Sequence, residues 1–254
     1  MATLNKIIVY PIKALVGVEL PSVEVTEGGT LKDDRRWVMV DRKGQMQNGK
    51  NNKHVFSLRP TFDLDEEMIS FEGESERFEL SCNALLQDYL SDKLAKPITL
   101  KENVREGFPD DPKAYGPTIV SRSSLQTISS WYPGMPLEEV RARFRMNLEI
   151  ADTPAFWEDQ VFRYQLEPKS VQIGDVSINS TNPCARCAVP MKSPETGEPF
   201  LEFYETFLNN REKYKPDWLD ARCFDHWYRL GLNTRISYKQ HGAKLSLDDS
   251  VKII

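Results

Sequence analysis

The amino-acid sequence predicts a β-rich α+β protein in two parts, residues 1–100 and 101–254. Three observations predict it. Short apolar runs alternate with Gly and Asp turns through the first eighty residues, a Gly- and Pro-rich stretch follows residue 100, and the remainder mixes helical with strand periodicity. With 254 residues, 40% of them hydrophobic, the chain can bury a sizeable core.

Ile7-Ile8-Val9-Tyr10 is strand-like. Arg36-Trp37-Val38-Met39-Val40 runs into the turn Asp41-Arg42-Lys43-Gly44, and Met68-Ile69-Ser70-Phe71 is followed, after Gly73, by Arg77-Phe78-Glu79-Leu80. Short strands at this spacing make a small barrel or sandwich over the first part. Leu86, Tyr89, Leu90 and Leu94 recur at helical spacing, which predicts a helix over 83–94 capped by Ser81 or Asn83 and stopped at Lys96-Pro97. Lys101 to Pro117 lacks periodicity and reads as a long loop, a kind of segment that is usually functional or mobile.

In the second part, Thr118-Ile119-Val120 reads as a strand, Ser124 to Trp131 and Leu137 to Arg143 as helices, and Met146 to Ile150 as a strand. Val171-Gln172-Ile173 and Val176-Ser177-Ile178 alternate around Gly174-Asp175, the pattern of a hairpin. Leu201, Tyr204 and Leu208 form a helical stripe over 200–212, and Arg235–Tyr238 and Val251–Ile254 close the chain as strands.

A net charge of −5 argues against a general nucleic-acid or polybasic membrane surface and favours small molecules or proteins as partners. Four cysteines at 82, 184, 187 and 223 are too scattered for a disulfide framework, which points to a reducing cytoplasm. No secretory or transit segment is evident, and no window approaches the run of about 20 apolar residues that spans a bilayer.

The most suggestive chemistry lies in Asn182-Pro183-Cys184-Ala185-Arg186-Cys187-Ala188-Val189-Pro190. Structural zinc needs four ligands, and the chain has no second Cys-x-x-Cys and no paired histidines. Pro190 and the turn Pro194-Glu195-Thr196-Gly197 stop any helix soon after Cys187, against a thioredoxin-like dithiol. Packing of two small hydrophobes stays open, as do metal ligation and nucleophilic attack by Cys187.

Candidate anion clamps surround this thiol in the sequence. Lys13 follows the strand-breaking Tyr10-Pro11, where a solvated lysine at a strand end is the commoner outcome. Arg35 and Arg36 would point to opposite faces of a regular strand. Arg141, Arg143 and Arg145 share a face if the strand begins early; if the helix continues to Phe144, only Arg145 lies at the boundary. Ser121, Ser123 and Ser124 either cap a helix or receive an anion there. His54, His226 and His241 are far apart, and no dinucleotide or P-loop motif is present.

Tyr10-Pro11-Ile12-Lys13, Asp34-Arg35-Arg36-Trp37, Arg145-Met146-Asn147, and Cys184-Ala185-Arg186-Cys187 followed by Pro194-Glu195-Thr196-Gly197 occur in that order. Together they resemble, over nearly the whole chain, the MOSC family, named for the C-terminal domain of molybdenum-cofactor sulfurases, with its N-terminal β-barrel domain. The resemblance implies an N-terminal MOSC-associated β-barrel over 1–100, packed on a MOSC-type β-barrel with peripheral helices over 101–254. By layout the chain is similar to the amidoxime-reducing component proteins and their bacterial counterparts. That implies a molybdenum-cofactor (Mo-molybdopterin) oxidoreductase that reduces N-hydroxylated small molecules, with Cys187 as the thiolate ligand of molybdenum and the catalytic residue.

Residue by residue, the resemblance implies cofactor-binding roles for Lys13 near the pterin phosphate, for Arg36 and Lys50, for Ser121 and Ser124, and for Arg145 and Asn147. The chain departs from the family pattern at Ala14, where serine is common, at Met146, which interrupts Arg-Pro-Asn, and at Lys50, in a segment that normally carries arginine. The four-cysteine iron–sulfur signature of some bacterial relatives is absent, so electrons are expected from a separate ferredoxin- or cytochrome-like protein. An alternative within the same resemblance is a sulfur carrier or cofactor-binding module holding a persulfide on Cys187.

Overall fold

The computed structural model describes residues 1–81 and 83–254, so Cys82 lies outside the described residues. The chain opens with β1 (Thr3–Val9), which buries Leu4, Ile7 and Val9, and continues into β2 (Val18–Leu20) and β3 (Ser22–Glu24). In β4 (Trp37–Val40) all four side chains are buried. A three-stranded antiparallel meander follows: β5 (Pro60–Asp63), β6 (Met68–Phe71) and β7 (Arg77–Glu79). Helix α1 (Ala84–Lys93) turns Leu86 and Leu90 inward, with Asn83 at its N-cap position, and β8 (Thr99–Glu102) pairs with β4. Trp37, Met39, Ile69, Phe71, Phe78, Leu86 and Leu90 share one apolar core.

The second part runs β9 (Ile119–Ser121), α2 (Arg122–Ser130), α3 (Leu137–Phe144), β10 (Leu148–Ala151), β11 (Ser170–Ile173) and β12 (Val176–Ala185). It ends with α4 (Phe203–Lys213), β13 (Arg229–Ile236), β14 (Lys244–Ser246) and β15 (Val251–Ile253). An eight-stranded sheet has the order β15-β11-β12-β13-β9-β10-β1-β2. Its ladders are antiparallel except β9–β10, whose crossover is the α2–α3 pair, as a parallel connection requires.

The architecture is the expected β-rich α+β class, with two refinements. Strands β1 and β2 belong to the large sheet of the second part, since Leu4 pairs with Ile150 and Ile7 with Leu148. Among the described residues the ladders do not close a barrel. The sheet instead curls until the residues before β15 meet β1: Asp248 N–H donates to Leu4 O, Leu4 N–H to Asp249 O and Val251 N–H to Ala2 O, each at 2.9 Å, around a lone Thr3–Ser250 bridge.

Helix α4 corrects the stripe read from the sequence. Leu201 is 86% exposed and Tyr204 39%, whereas Phe203, Phe207 and Arg211 face inward. The i, i+4, i+8 set wins because its two phenyl rings join Phe144, Phe156 and Tyr132 in the helical core. Among the described residues no helix is long and apolar enough to cross a membrane.

Candidate functional site

Helix α3 ends at Phe144 because Arg145 takes a left-handed backbone (φ 53°, ψ 51°) while its N–H closes the last turn on Arg141 O. A residue with a Cβ adopts this conformation at a cost of roughly 1–2 kcal/mol. The three arginines read as one run therefore part company. Arg141 forms a buried two-point ion pair with Glu149 (2.7 and 2.8 Å). Arg143 holds Glu139 and donates to the carbonyls of Pro190 and Lys192, both at 2.8 Å, fixing the segment after Cys187. The Arg145 guanidinium alone of the three makes no hydrogen bond or ion pair among the described residues, and it stands 4.3 Å from the centre of the Tyr10 ring.

The thiols sit at the end of β12, where the β12–β13 register slips between Ser180 and Asn182 and again between Pro183 and Ala185. Pro183 cannot donate to the ladder, and such irregularities re-aim the side chains that follow. Cys184 is buried and accepts a hydrogen bond from Arg186 Nη1 at 3.0 Å; Cys187 is exposed. Both line a cavity of about 720 Å³ between the two parts of the chain. Nine lysine and arginine side chains line it against six carboxylates, so a chain of net negative charge encloses a positive recess.

Lys13, Lys50, Arg145 and Cys187 all line this recess. Lys13 Nζ is 2.9 Å from Asp110 Oδ1 and 3.0 Å from Pro109 O. Arg35 lines the cavity where Arg36 was expected. Arg36 is engaged outside it with Asp33 (3.0 Å), Glu67 (2.5 Å) and Glu102 (2.6 Å), over the Trp37 ring. The alternation argument fails because Asp33 and Arg35 have positive φ, so no regular strand exists before Trp37.

Asn147 does not line the cavity but orients what does. Its Oδ1 accepts from Arg35 Nη1 (3.2 Å), Thr118 N (3.1 Å) and Thr118 Oγ1 (3.0 Å), while its Nδ2 donates to Ile8 O (2.9 Å). Ser121 and Ser124 are likewise away from the recess. Ser121 Oγ caps α2 at Ser124 N, and Ser121 N and Ser124 Oγ donate to the buried Glu158 carboxylate at 3.2 and 3.1 Å. The Ser124 hydroxyl is engaged by this carboxylate and the Ser121 hydroxyl by Ser124 and Pro154 O, so the structure places both serines in helix and core contacts, away from the recess where cofactor contacts were expected.

Residues absent from the sequence reading complete the walls. The Phe56 ring packs where a Cβ on Gly197 would come within 2.5 Å of it, and Gly197 also has φ +74°, so the Pro-Glu-Thr-Gly turn needs its glycine. Arg59 Nη2 donates to Glu195 O and Lys192 Nζ to Gly49 O, both at 2.7 Å. These contacts dock the turn after Cys187 onto the first part of the chain.

The electrostatics of the recess follow from crowded cations. Burial, together with the neighbouring Arg35 charge, lowers the Arg145 pKa, although Tyr10, Asp110 and Asp34 pull the other way. Burial pushes Tyr10 up to about 12, which keeps its hydroxyl protonated and donating to Met146 O at 3.2 Å. An anion entering beside Arg145 meets a guanidinium with no competing carboxylate of its own. Among the described residues no group of three or more His, Cys, Asp or Glu is placed to hold a bare metal ion. Cys187 offers one thiolate, so a metal there would bring its other ligands with it.

Fold and site thus define a β-rich protein with an exposed thiol opening on a recess lined mainly by cations. Residues 1–98 match the MOSC N-terminal beta barrel domain and residues 116–252 match the MOSC domain, and the chain belongs to the MOSC family. Similar proteins named molybdenum cofactor sulfurase include that of Drosophila melanogaster, 24% identical over 227 residues, covering 75% of this chain and 28% of that protein. Those of Caenorhabditis elegans (23% over 233 residues, 81% and 31%) and Bos taurus (20% over 262 residues, 83% and 29%) are similar to it as well. The chain therefore spans less than a third of the length of each of these three relatives. Among solved structures, the YUAD protein from Bacillus subtilis aligns over 99% of this chain and 94% of its own, with TM-score 0.40 and 10% identity.

Proposed function

We propose that this chain binds the molybdenum cofactor in the recess and works as an oxidoreductase on small N-hydroxylated compounds, with electrons from a separate donor protein. The observation that carries this reading is the pairing of an exposed Cys187 thiol with an Arg145 guanidinium that lacks an anionic partner, in one cavity. The thiol suits a soft metal and the guanidinium suits a phosphate.

In this reading Cys187 supplies a thiolate to molybdenum, and Lys13, Arg35 and Arg145 hold the phosphate end of the pterin. Asn147 and Asp34 fix Arg35, and Arg143 fixes the chain after Cys187 through Pro190 O and Lys192 O. The bound cofactor supplies the two-electron reduction that, with two protons, breaks the N–O bond and releases water. Lys50 of the first part and Lys192 of the second, whose Nζ reaches Gly49 O, add positive charge to the recess walls that would draw in anionic groups.

Reduction of an N-hydroxylated amidine by the cofactor-loaded protein with reduced methyl viologen tests this reading. Turnover that is lost in Cys187→Ala supports it, and loaded wild-type protein that reduces no N-hydroxylated compound refutes the reductase assignment. A second reading, a sulfur carrier with a persulfide on Cys187, draws support from the names of the relatives. Cyanide-releasable sulfur on Cys187 in protein without molybdenum would favour it.

A further inference from the structure

The loop between β8 and β9 carries no helix or strand from Asn103 to Thr118 and lines one side of the recess. It is tied down on both sides: Phe108 N–H donates to Arg35 O at 2.8 Å, and Gly116 N–H to Thr234 O at 2.9 Å. Between these anchors, among the described residues, 109–112 are hydrogen-bonded outside the loop through Lys13 alone, which contacts Pro109 O and Asp110 Oδ1. The Asp110 side chain is 80% exposed, while that of Lys13 is 14% exposed.

We infer that Asp110 is an internal counter-ion that holds Lys13 until an anionic ligand displaces it, and so sets the charge a ligand must carry to enter the recess. This rests on the reading of the recess as the seat of a phosphate group. The Asp110 carboxylate satisfies Lys13 with one negative charge. A phosphate monoester brings about two charges and three acceptor oxygens and can engage Lys13, Arg35 and Arg145 together, so it outcompetes Asp110 where a monoanion does not. The surrounding charges fit this exchange: although crowding by the recess walls desolvates the solvent-facing Asp110 carboxyl in part and pushes it up, Arg35 and Lys13 outweigh this and bring it down to about 2. Displacement frees the 109–112 segment, which leads directly into the exposed trypsin site at Lys113, whose carbonyl is then held by Arg235 Nε alone.

Calorimetric titration of the full-length, cofactor-free chain with inorganic phosphate tests the inference, with acetate as the monoanion. Asp110→Asn is expected to bind phosphate at least about fivefold more tightly than wild type, Asp110→Glu to stay near wild type, and acetate to bind neither measurably. Phosphate should accelerate trypsin cleavage after Lys113 in wild type, whereas Asp110→Asn is cleaved rapidly with or without it. Equal phosphate affinity in wild type and Asp110→Asn, or no binding by either, overturns the inference. Molybdenum content plays no part in these measurements, so the cofactor reading fails or stands separately.

Discussion

Arg186 Nη1 donates to Cys184 Sγ at 3.0 Å, and this contact separates the two thiols of the Cys-x-x-Cys run. Arg186 also bonds Phe144 O and reaches Met146 Sδ at 3.6 Å, so Cys184 is one of the groups that lock the end of β12 to the end of α3. Cys187, three residues on, is free of this lattice and open to the cavity. In the native protein, iodoacetamide should alkylate Cys187 at least about tenfold faster than Cys184, since reactivity follows exposure. Peptide mapping after timed quenching reads both rates.

The unpartnered guanidinium of Arg145 sits on a left-handed backbone that glycine adopts without strain. Arg145→Gly should raise stability by about 1 kcal/mol, read as a higher urea midpoint, while weakening phosphate binding in the recess at least about tenfold. Opposite signs for stability and binding would mark strain kept for function. A loss of both would assign Arg145 to the core.

Glu158 is fully buried, and burial, reinforced by Asp159, pushes its carboxyl up to about 7. The folded chain then holds a proton that the unfolded chain releases near the ordinary glutamate value of 4.5. Stability should fall as pH rises from about 4.5 to about 7 on this account, because the native state binds more protons across that window. Glu158→Gln should flatten the slope and exceed wild type at pH 8 by about 1–3 kcal/mol. Urea midpoints at pH 5 and pH 8 measure both effects, and a wild-type slope that survives in Glu158→Gln would locate the titration elsewhere.

Much of this site was legible in the sequence, for physical reasons that differ by residue. Lys13 and Arg145 are placed by backbone breaks that local sequence announces, the Tyr10-Pro11 strand end and the boundary of α3 with β10. The loop over 101–117 was visible through its Gly and Pro content, but its role was not, because the Lys13–Asp110 pair joins residues 97 positions apart in the chain. Arg35 rather than Arg36 lines the recess because two positive-φ residues break the alternation that strand reasoning assumes. The contacts of Ser121 N and Ser124 Oγ were not legible because Glu158, which accepts from both, lies beyond the reach of any spacing rule. Phe56, Arg59 and Lys192 escaped notice because their roles depend on the docking of one part of the chain on the other.

The thiolate role of Cys187 is tested most directly by the molybdenum and pterin content of protein purified from a cofactor-competent host. Wild type should carry both in comparable molar amounts, Cys184→Ala should retain most of its metal, and Cys187→Ala should lose it. Wild-type protein free of molybdenum, or Cys187→Ala protein that keeps it, would contradict the role given to this sulfur.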